Sequence, residues 1–207
     1  MTLKMKKVIG IIIIILIFVI GMFFAFWPRK QEEIKINYVS GKEHIYRGQL
    51  LDPANKPSPL MKLSRRASYL NSSVFLAFSA KIAVEEMIKD AEQDGVCLVV
   101  ISGYRTAKKQ QQLYDQAIDK YFVALPNESE HQTGLAVDFG GCPMKNGVRN
   151  DNIDRFELAE DFNTLPEYEW LKNHAEEYGF EESFTDNNAD STGFPAEPWH
   201  WKFVIEE

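Results

Sequence analysis

Cysteine is nearly absent: Cys97 and Cys142 are the only two in 207 residues. Two cysteines exclude a disulfide framework and a cysteine-built zinc site. They leave open either one bridge, if their Cα atoms come within about 7 Å, or two buried thiols. Basic residues are also scarce once the N-terminus is passed. The first thirty residues carry five Lys or Arg and no acid, so the remainder holds 18 basic against 30 acidic residues, a formal −12. That balance excludes nucleic acid as a partner, because such binding rests on neutralising phosphates with Lys and Arg. There is no internal repeat, and the length suits one ordinary domain with a modest appendage.

Val8 to Trp27 lacks charge altogether, reading VIGIIIIILIFVIGMFFAFW. Twenty residues at about 1.5 Å each span roughly the 30 Å of a bilayer core, and the run has no polar face. Lys4, Lys6 and Lys7 precede it, so the positive-inside rule puts residues 1–7 in the cytoplasm and the bulk of the chain outside. A cleavable signal peptide is the competing reading. Gly21 to Trp27 offers no good small-x-small cleavage site, and no lipobox cysteine is present, which favours a retained single-pass anchor over 8–27 in the cell membrane. Residues 28–59, punctuated by Pro28, Pro53, Pro57 and Pro59, read as an extracytoplasmic tether. Within it, Ile34–Val39 alternates like a short edge strand, and His44 reads as solvated.

Residues 60 to 207 read as one domain of interspersed helices and strands. Asn71-Ser72-Ser73 reads as an N-cap cluster for a helix whose apolar stripe is Val74, Ala77, Phe78, Ile82, Met87, Ile88 and Ala91, closed by Gly95. Val96–Ile101 reads as a strand buried on both faces. Thr106 can cap a second helix presenting Leu113, Tyr114, Ala117, Ile118 and Tyr121. Leu135–Phe139 reads as a short strand, and residues 142 to 163 as a surface loop. Thr164-x-x-Glu167 matches a capping box for a third helix with Trp170, Leu171, Ala175 and Tyr178 inward, closed by Gly179. Two short strands follow, the last over Trp199–Ile205.

Of the four histidines, His174 sits among charged neighbours on the third helix and reads as packing. His131 and His200 do not fit so plain a role. His131 stands in Ser129-Glu130-His131-Gln132-Thr133-Gly134, and Asp138 follows inside the apolar Leu135–Phe139. A buried carboxylate is costly unless paired or metal-bound, so Asp138 reads as a metal ligand, as the end of an edge strand, or as a partner of Arg105. Glu197 and His200 are three apart, which on an ideal strand points them to opposite sides. A bend at Pro198 would bring both into one cleft, with Trp199 and Trp201 flanking it and excluding water. His131, Asp138 and His200 together leave a zinc coordination position open, and Glu197 is then a free base. Arg105, at a strand end, is placed to meet an anionic oxygen.

Three stretches taken together, Ser102-Gly103-Tyr104-Arg105, the Ser-x-His-x-x-Gly-x-Ala-x-Asp pattern over 129–138, and Thr192-Gly193-Phe194-x-x-Glu197-Pro198-Trp199-His200, resemble the VanY-type D-alanyl-D-alanine carboxypeptidases of the LAS group of zinc peptidases. The resemblance covers roughly residues 60 to 205. It implies an α+β fold whose small antiparallel sheet, flanked by helices, carries Zn2+ on His131, Asp138 and His200. It also implies Glu197 as catalytic base and Arg105 as partner of the oxyanion or carboxylate. Gln110, Ser129, Tyr104 and Trp199 are implied as substrate contacts. The implied reaction is removal of the terminal D-alanine from peptidoglycan stem peptides or their precursors, which lie outside the membrane. An L,D-carboxypeptidase or endopeptidase on the same scaffold is one rival, and a non-catalytic peptidoglycan-binding module is another. Where the family often has Arg-Tyr-Pro, this chain has Glu181-Glu182-Ser183-Phe184-Thr185, which bears on which stem peptide is preferred.

Overall fold

A computed structural model describes residues 35–36, 47, 50–51, 59–69, 72–142, 144–145, 148–149 and 161–204. The apolar run 8–27, His44 and most of the loop expected over 142 to 163 lie outside the described residues. Among those described, no helix is long and apolar enough to cross a membrane.

The strands are β1 (Lys35–Ile36), β2 (Leu50–Leu51), β3 (Leu60–Lys62), β4 (Phe75–Ala77), β5 (Leu98–Ser102), β6 (Ala136–Gly141), β7 (Met144–Lys145), β8 (Val148–Arg149), β9 (Phe180–Glu182) and β10 (His200–Phe203). The α-helices are α1 (Phe78–Gln93), α2 (Ala107–Gln116), α3 (Pro166–His174) and the single turn α4 (Ala189–Thr192). Four strands form the central sheet in the order β5-β6-β10-β9, every neighbour antiparallel. β6 lies inside it with all six residues buried, which its run of small and apolar side chains permits. The expected α+β class with a small antiparallel sheet is what the chain adopts.

One hydrophobic core joins α1, the sheet and α3. Ala80, Val84, Met87, Ile88 and Ala91 form the buried face of α1 at helical spacing. Each large side chain among them contributes about 1.5–3 kcal/mol by leaving water, and truncating Met87 to Ala would cost about 2–5 kcal/mol. Trp170, Leu171 and Ala175 supply the facing side. Tyr178 and Trp170 tie α3 to α1 by donating to Asp90 and Asp94, at 2.9 Å each.

Several local expectations are corrected. The first helix starts at Phe78, not after Ser73, because Phe75–Ala77 pairs with Leu60–Lys62 as a hairpin. Phe78 and Ile82 consequently fall on the outer face, 52% and 46% exposed. Thr106 does cap α2, accepting from the Lys109 amide, but the helix stops at Gln116. Asp119 captures the Tyr121 amide at 2.8 Å and starts a separate 3-10 turn, so Ile118 is fully exposed and Tyr121 half so. Thr164 does not cap α3. Its hydroxyl donates to the Asp161 carbonyl within a preceding 3-10 turn, and Pro166 opens the helix after Leu165. The last strand is shorter than expected, His200–Phe203.

Cys97 and Cys142 are joined by a disulfide with Cα atoms 5.1 Å apart. It staples the start of β5 to the end of β6, where the Cys142 amide also donates to the Cys97 carbonyl at 3.0 Å.

Candidate active site

The sheet register assembles the site. Asp138 sits directly opposite His200 on β10 and opposite Ser102 on β5, where the register shifts after Val100. Opposed residues in an antiparallel pair share a face, so Asp138 and His200 point together. His131 arrives from a 3-10 turn, Glu130–Thr133, ended by Gly134 in the left-handed region at φ 73. The Arg105 amide donates to the His131 carbonyl at 3.1 Å, which fixes that turn beside the end of β5. Gly103 is required there: a Cβ would sit 2.7 Å from the Phe75 carbonyl oxygen.

His131 Nε2 and His200 Nδ1 both face Asp138 Oδ1, at 3.2 and 3.0 Å. The three residues are buried, and their ligand atoms lie within 4.8 Å of one another. The other nitrogen of each ring is already engaged. His131 Nδ1 donates to the Gly103 carbonyl at 2.7 Å, and His200 Nε2 meets Glu130 at 2.9 Å. Each ring is thus anchored through one nitrogen while the other faces Asp138, where on losing its proton it could bind a cation, the arrangement expected around a metal. Two imidazoles and one carboxylate suit a divalent ion of the zinc type, so the residues fit the group the sequence implies.

Glu197 reaches the same place through a turn. The His200 amide donates to the Glu197 carbonyl at 2.8 Å across Pro198 and Trp199, which supplies the bend that spacing three demands. The Glu197 carboxylate stands 4.0 Å from His200 Nδ1. Arg105 Nη2 lies 3.5 Å from Asp138 Oδ2, so Asp138 is both in the candidate metal cluster and an arginine partner.

Electrostatics separate the carboxylates. Burial pushes Glu197 up, with Asp138 and Glu130 adding to it against His200 and Arg105, to about 7. Burial alone would raise Asp138 too, but His131, His200 and Arg105 outweigh it and hold the group well below the usual range. Glu130 is likewise carried past its burial penalty, by His200, Lys202 and Ser183, down to about 2. Burial lowers His131, with Arg105 assisting, to about 4, whereas Asp138 and Glu130 overcome burial at His200 and lift it to about 10.

A cleft of about 470 Å³ opens over these groups, lined by Arg105, Gln110, Ser129, Trp199 and an apolar wall that includes Phe122, Phe184 and Phe194. Its volume suits a short peptide segment. Among the described residues, Arg105 Nε and Gln110 Oε1 are buried without a hydrogen-bond partner, donor and acceptor capacity that a polar ligand could use. Gln110 is positioned by its amide nitrogen, which donates to the Ala124 carbonyl at 2.8 Å. Tyr104 is not among the lining residues. Trp201 is corrected: it faces Val137 in the sheet and packs in the core, so Trp199 flanks the cleft without it. His174 stacks on Trp170 at 4.7 Å between ring centroids.

Glu130 was missed. It is completely buried and bonds His200, the Ser183 hydroxyl at 2.6 Å and, as an ion pair, Lys202 at 3.8 Å. Reading residue 130 as a variable position within the motif hid it. A carboxylate between two buried-looking neighbours was the available signal.

Residues 74–206 match the family model described as VanY, D-alanyl-D-alanine carboxypeptidase. YodJ of Bacillus subtilis (strain 168), whose name marks it as a carboxypeptidase, is 34% identical over 137 residues, 63% of this chain and 46% of its own. The chain spans about half the length of the curated relatives it matches. Among solved structures, the LdcB LD-carboxypeptidase superposes with TM-score 0.65 at 27% identity, covering 79% of this chain and 76% of that one. A mutant of the D,D-pentapeptidase VanY from a VanB-type resistance cassette, solved with Zn(II), gives TM-score 0.60 at 25% identity over 78% and 86%.

Proposed function

The chain belongs to the VanY family of D-alanyl-D-alanine carboxypeptidases, and we propose on that premise that it is a membrane-anchored zinc carboxypeptidase removing the terminal D-alanine from peptidoglycan stem peptides or precursors. The observation that carries this is the convergence of His131, Asp138, His200 and an unligated Glu197 in the lining of a peptide-sized cleft. The uncharged run 8–27 supports an anchor that leaves the domain outside, where such substrates lie.

Zinc held by His131, Asp138 and His200 would supply a Lewis acid that polarises the scissile carbonyl and makes water a stronger acid. Glu197 takes the proton of the attacking water and passes it to the departing amine as the C–N bond breaks, a role suited by an affinity for protons near neutrality. Arg105 meets the developing oxyanion or the substrate's terminal carboxylate. Gln110 and Ser129 border the terminal residue, and Trp199 covers the reacting bond and keeps water out. Gly103 and Glu130 hold the two histidines in the tautomers that leave Nε2 and Nδ1 available.

The full-length protein in detergent should release D-alanine from a pentapeptide ending in D-Ala-D-Ala, fall silent with a chelator and recover with zinc. Glu197→Gln should bind zinc yet lose turnover by at least about a hundredfold; full turnover in that variant would refute the mechanism. The likeness to an LD-carboxypeptidase supports a second reading in which the cut lies one residue earlier in the stem. Mass spectrometry of digested muropeptides separates the two. Stem-peptide binding without product over hours would instead support a non-catalytic module, against which the presence of both Arg105 and Glu197 argues.

A further inference from the structure

The segment ahead of residue 60 was expected only to tether the domain, yet two of its residues are seated on the cleft's outer frame. We propose that Arg47, backed by Leu51, straps together two loops that line the cleft and fixes their spacing, with Arg47 as a positioning residue; this rests on reading the cleft as the substrate site.

The two loops come from different parts of the chain. One is the loop after α2, carrying Phe122. The other is the loop between α4 and β10, carrying Phe194. Arg47 bonds both. Its amide donates to the Thr192 carbonyl at 2.8 Å, its Nε to the Gly193 carbonyl at 2.8 Å, and its Nη2 to the Tyr121 carbonyl at 2.7 Å. The guanidinium lies 4.5 Å from the Phe194 ring centroid and 5.6 Å from that of Tyr121. Four residues on, the Leu51 amide donates to the Asn127 carbonyl at 2.6 Å, and the Leu51 side chain is buried in the core.

The receiving backbone is shaped for this contact. Gly193 adopts φ +75, and a Cβ there would lie 3.0 Å from Arg47 Cβ. Asn127, with φ 70, is the one non-glycine residue among those described that takes the left-handed region. A planar guanidinium with donors fanned in fixed directions can hold two carbonyls from separate loops at a set distance, which a lysine ammonium cannot reproduce. The contact also backs the metal end of the site. Phe194 packs on Phe184 at 4.9 Å between centroids, and Phe184 stacks on His200 at 5.0 Å.

The test compares full-length Arg47→Ala and Arg47→Lys with the wild type, and uses Lys89→Ala on α1 as a surface-charge control. In the zinc-loaded protein, Arg47→Ala should raise amide exchange about tenfold or more in peptides covering 118–128 and 184–197. It should raise KM for D-alanine release by about tenfold while kcat stays within about threefold and zinc affinity is unchanged. Arg47→Lys should fall between, since it can keep one carbonyl, and Lys89→Ala should match the wild type. Unchanged exchange in both loops would reduce the strap to a tether and overturn the proposal. Faster exchange with unaltered KM would overturn the positioning role. A uniform rise in exchange across α1 and the sheet, repeated in Arg47→Lys, would also overturn it by making Arg47 a general stability residue. Wild-type protein that releases no D-alanine would count against the assigned reaction, while the exchange comparison would still decide the strap.

Discussion

Replacing Glu130 tests how much of the metal site is held from behind. Its carboxylate meets His200 Nε2 at 2.9 Å, Ser183 Oγ at 2.6 Å and Lys202 Nζ at 3.8 Å, and both Glu130 and Lys202 are fully buried. Glu130→Gln keeps an acceptor for His200 and loses the charge. Partners in this position typically contribute 10–100-fold to metal affinity, so the amide should weaken zinc binding by about tenfold, or about 1.4 kcal/mol. Glu130→Ala removes the acceptor as well and should approach about a hundredfold. It also removes a buried carboxylate from beside Lys202, with the half-exposed Glu181 staying 3.1 Å away. Breaking a buried pair in this way costs about 3–5 kcal/mol of folding stability. The double variant Glu130→Leu/Lys202→Met separates the effects: removing both charges should restore much of the stability in urea unfolding of chelator-treated protein, while competition with a chromophoric chelator still shows weakened zinc binding. Zinc affinity in Glu130→Gln within twofold of the wild type would refute the argument. Recovery of full affinity in the double variant would show that Glu130 acts only by neutralising Lys202.

Zinc uptake at pH 8 should release about one proton, read by calorimetry in buffers of different ionisation enthalpy, because Asp138 and Glu130 lift metal-free His200 to about 10 against its burial; release near zero would count against that protonated state. The same shift means that His200 stabilises the metal-free fold fully below about pH 6.5 and loses that contribution as pH rises through about 10, which unfolding midpoints across that range should show. Burial, aided by Asp138 and Glu130, raises Glu197 to about 7 in the metal-free site, and a bound cation would pull it lower. The acid limb of kcat/KM should therefore lie at or below about pH 7 and shift further down in Glu130→Gln, where one repelling charge is gone; a limb that does not move would remove Glu130 from the account. The Cys97–Cys142 bridge closes a separation of 45 residues that contains Arg105, Gln110, His131 and Asp138. Replacing both cysteines by Ala should cost about 4 kcal/mol by chain entropy, seen as a lower urea midpoint, and equal midpoints with and without the bridge would refute it.

Much of the site was legible because its chemistry is locally encoded. A histidine next to a glycine turn, a carboxylate inside an apolar strand and Glu-Pro-x-His each admit a plain packing role when taken singly, but together they supply a candidate ligand set and a base. The helices were found from their apolar periodicity, and Thr106 marked the start of the second, but the starts of the first and third were not found. Ser72-Ser73 and Thr164 are residues that cap helices in many proteins; here a hairpin claims the first stretch and a 3-10 turn the second. Propensity is a local preference, and pairing with a distant strand outweighs it.

The sequence by itself determined the family-level motif, a candidate set of metal ligands and the acidic balance of the chain beyond residue 30, because these depend on which functional groups occur and at what short spacing. Only the tertiary structure decided what surrounds them. Glu130 meets Ser183 across 53 positions and His200 across 70, and Arg47 reaches Gly193 across 146. Contacts of that range leave no periodicity in the chain, since they are set by how strands register and loops close. The motif names the groups that do the chemistry, and the fold supplies the buried carboxylate and the strap behind them.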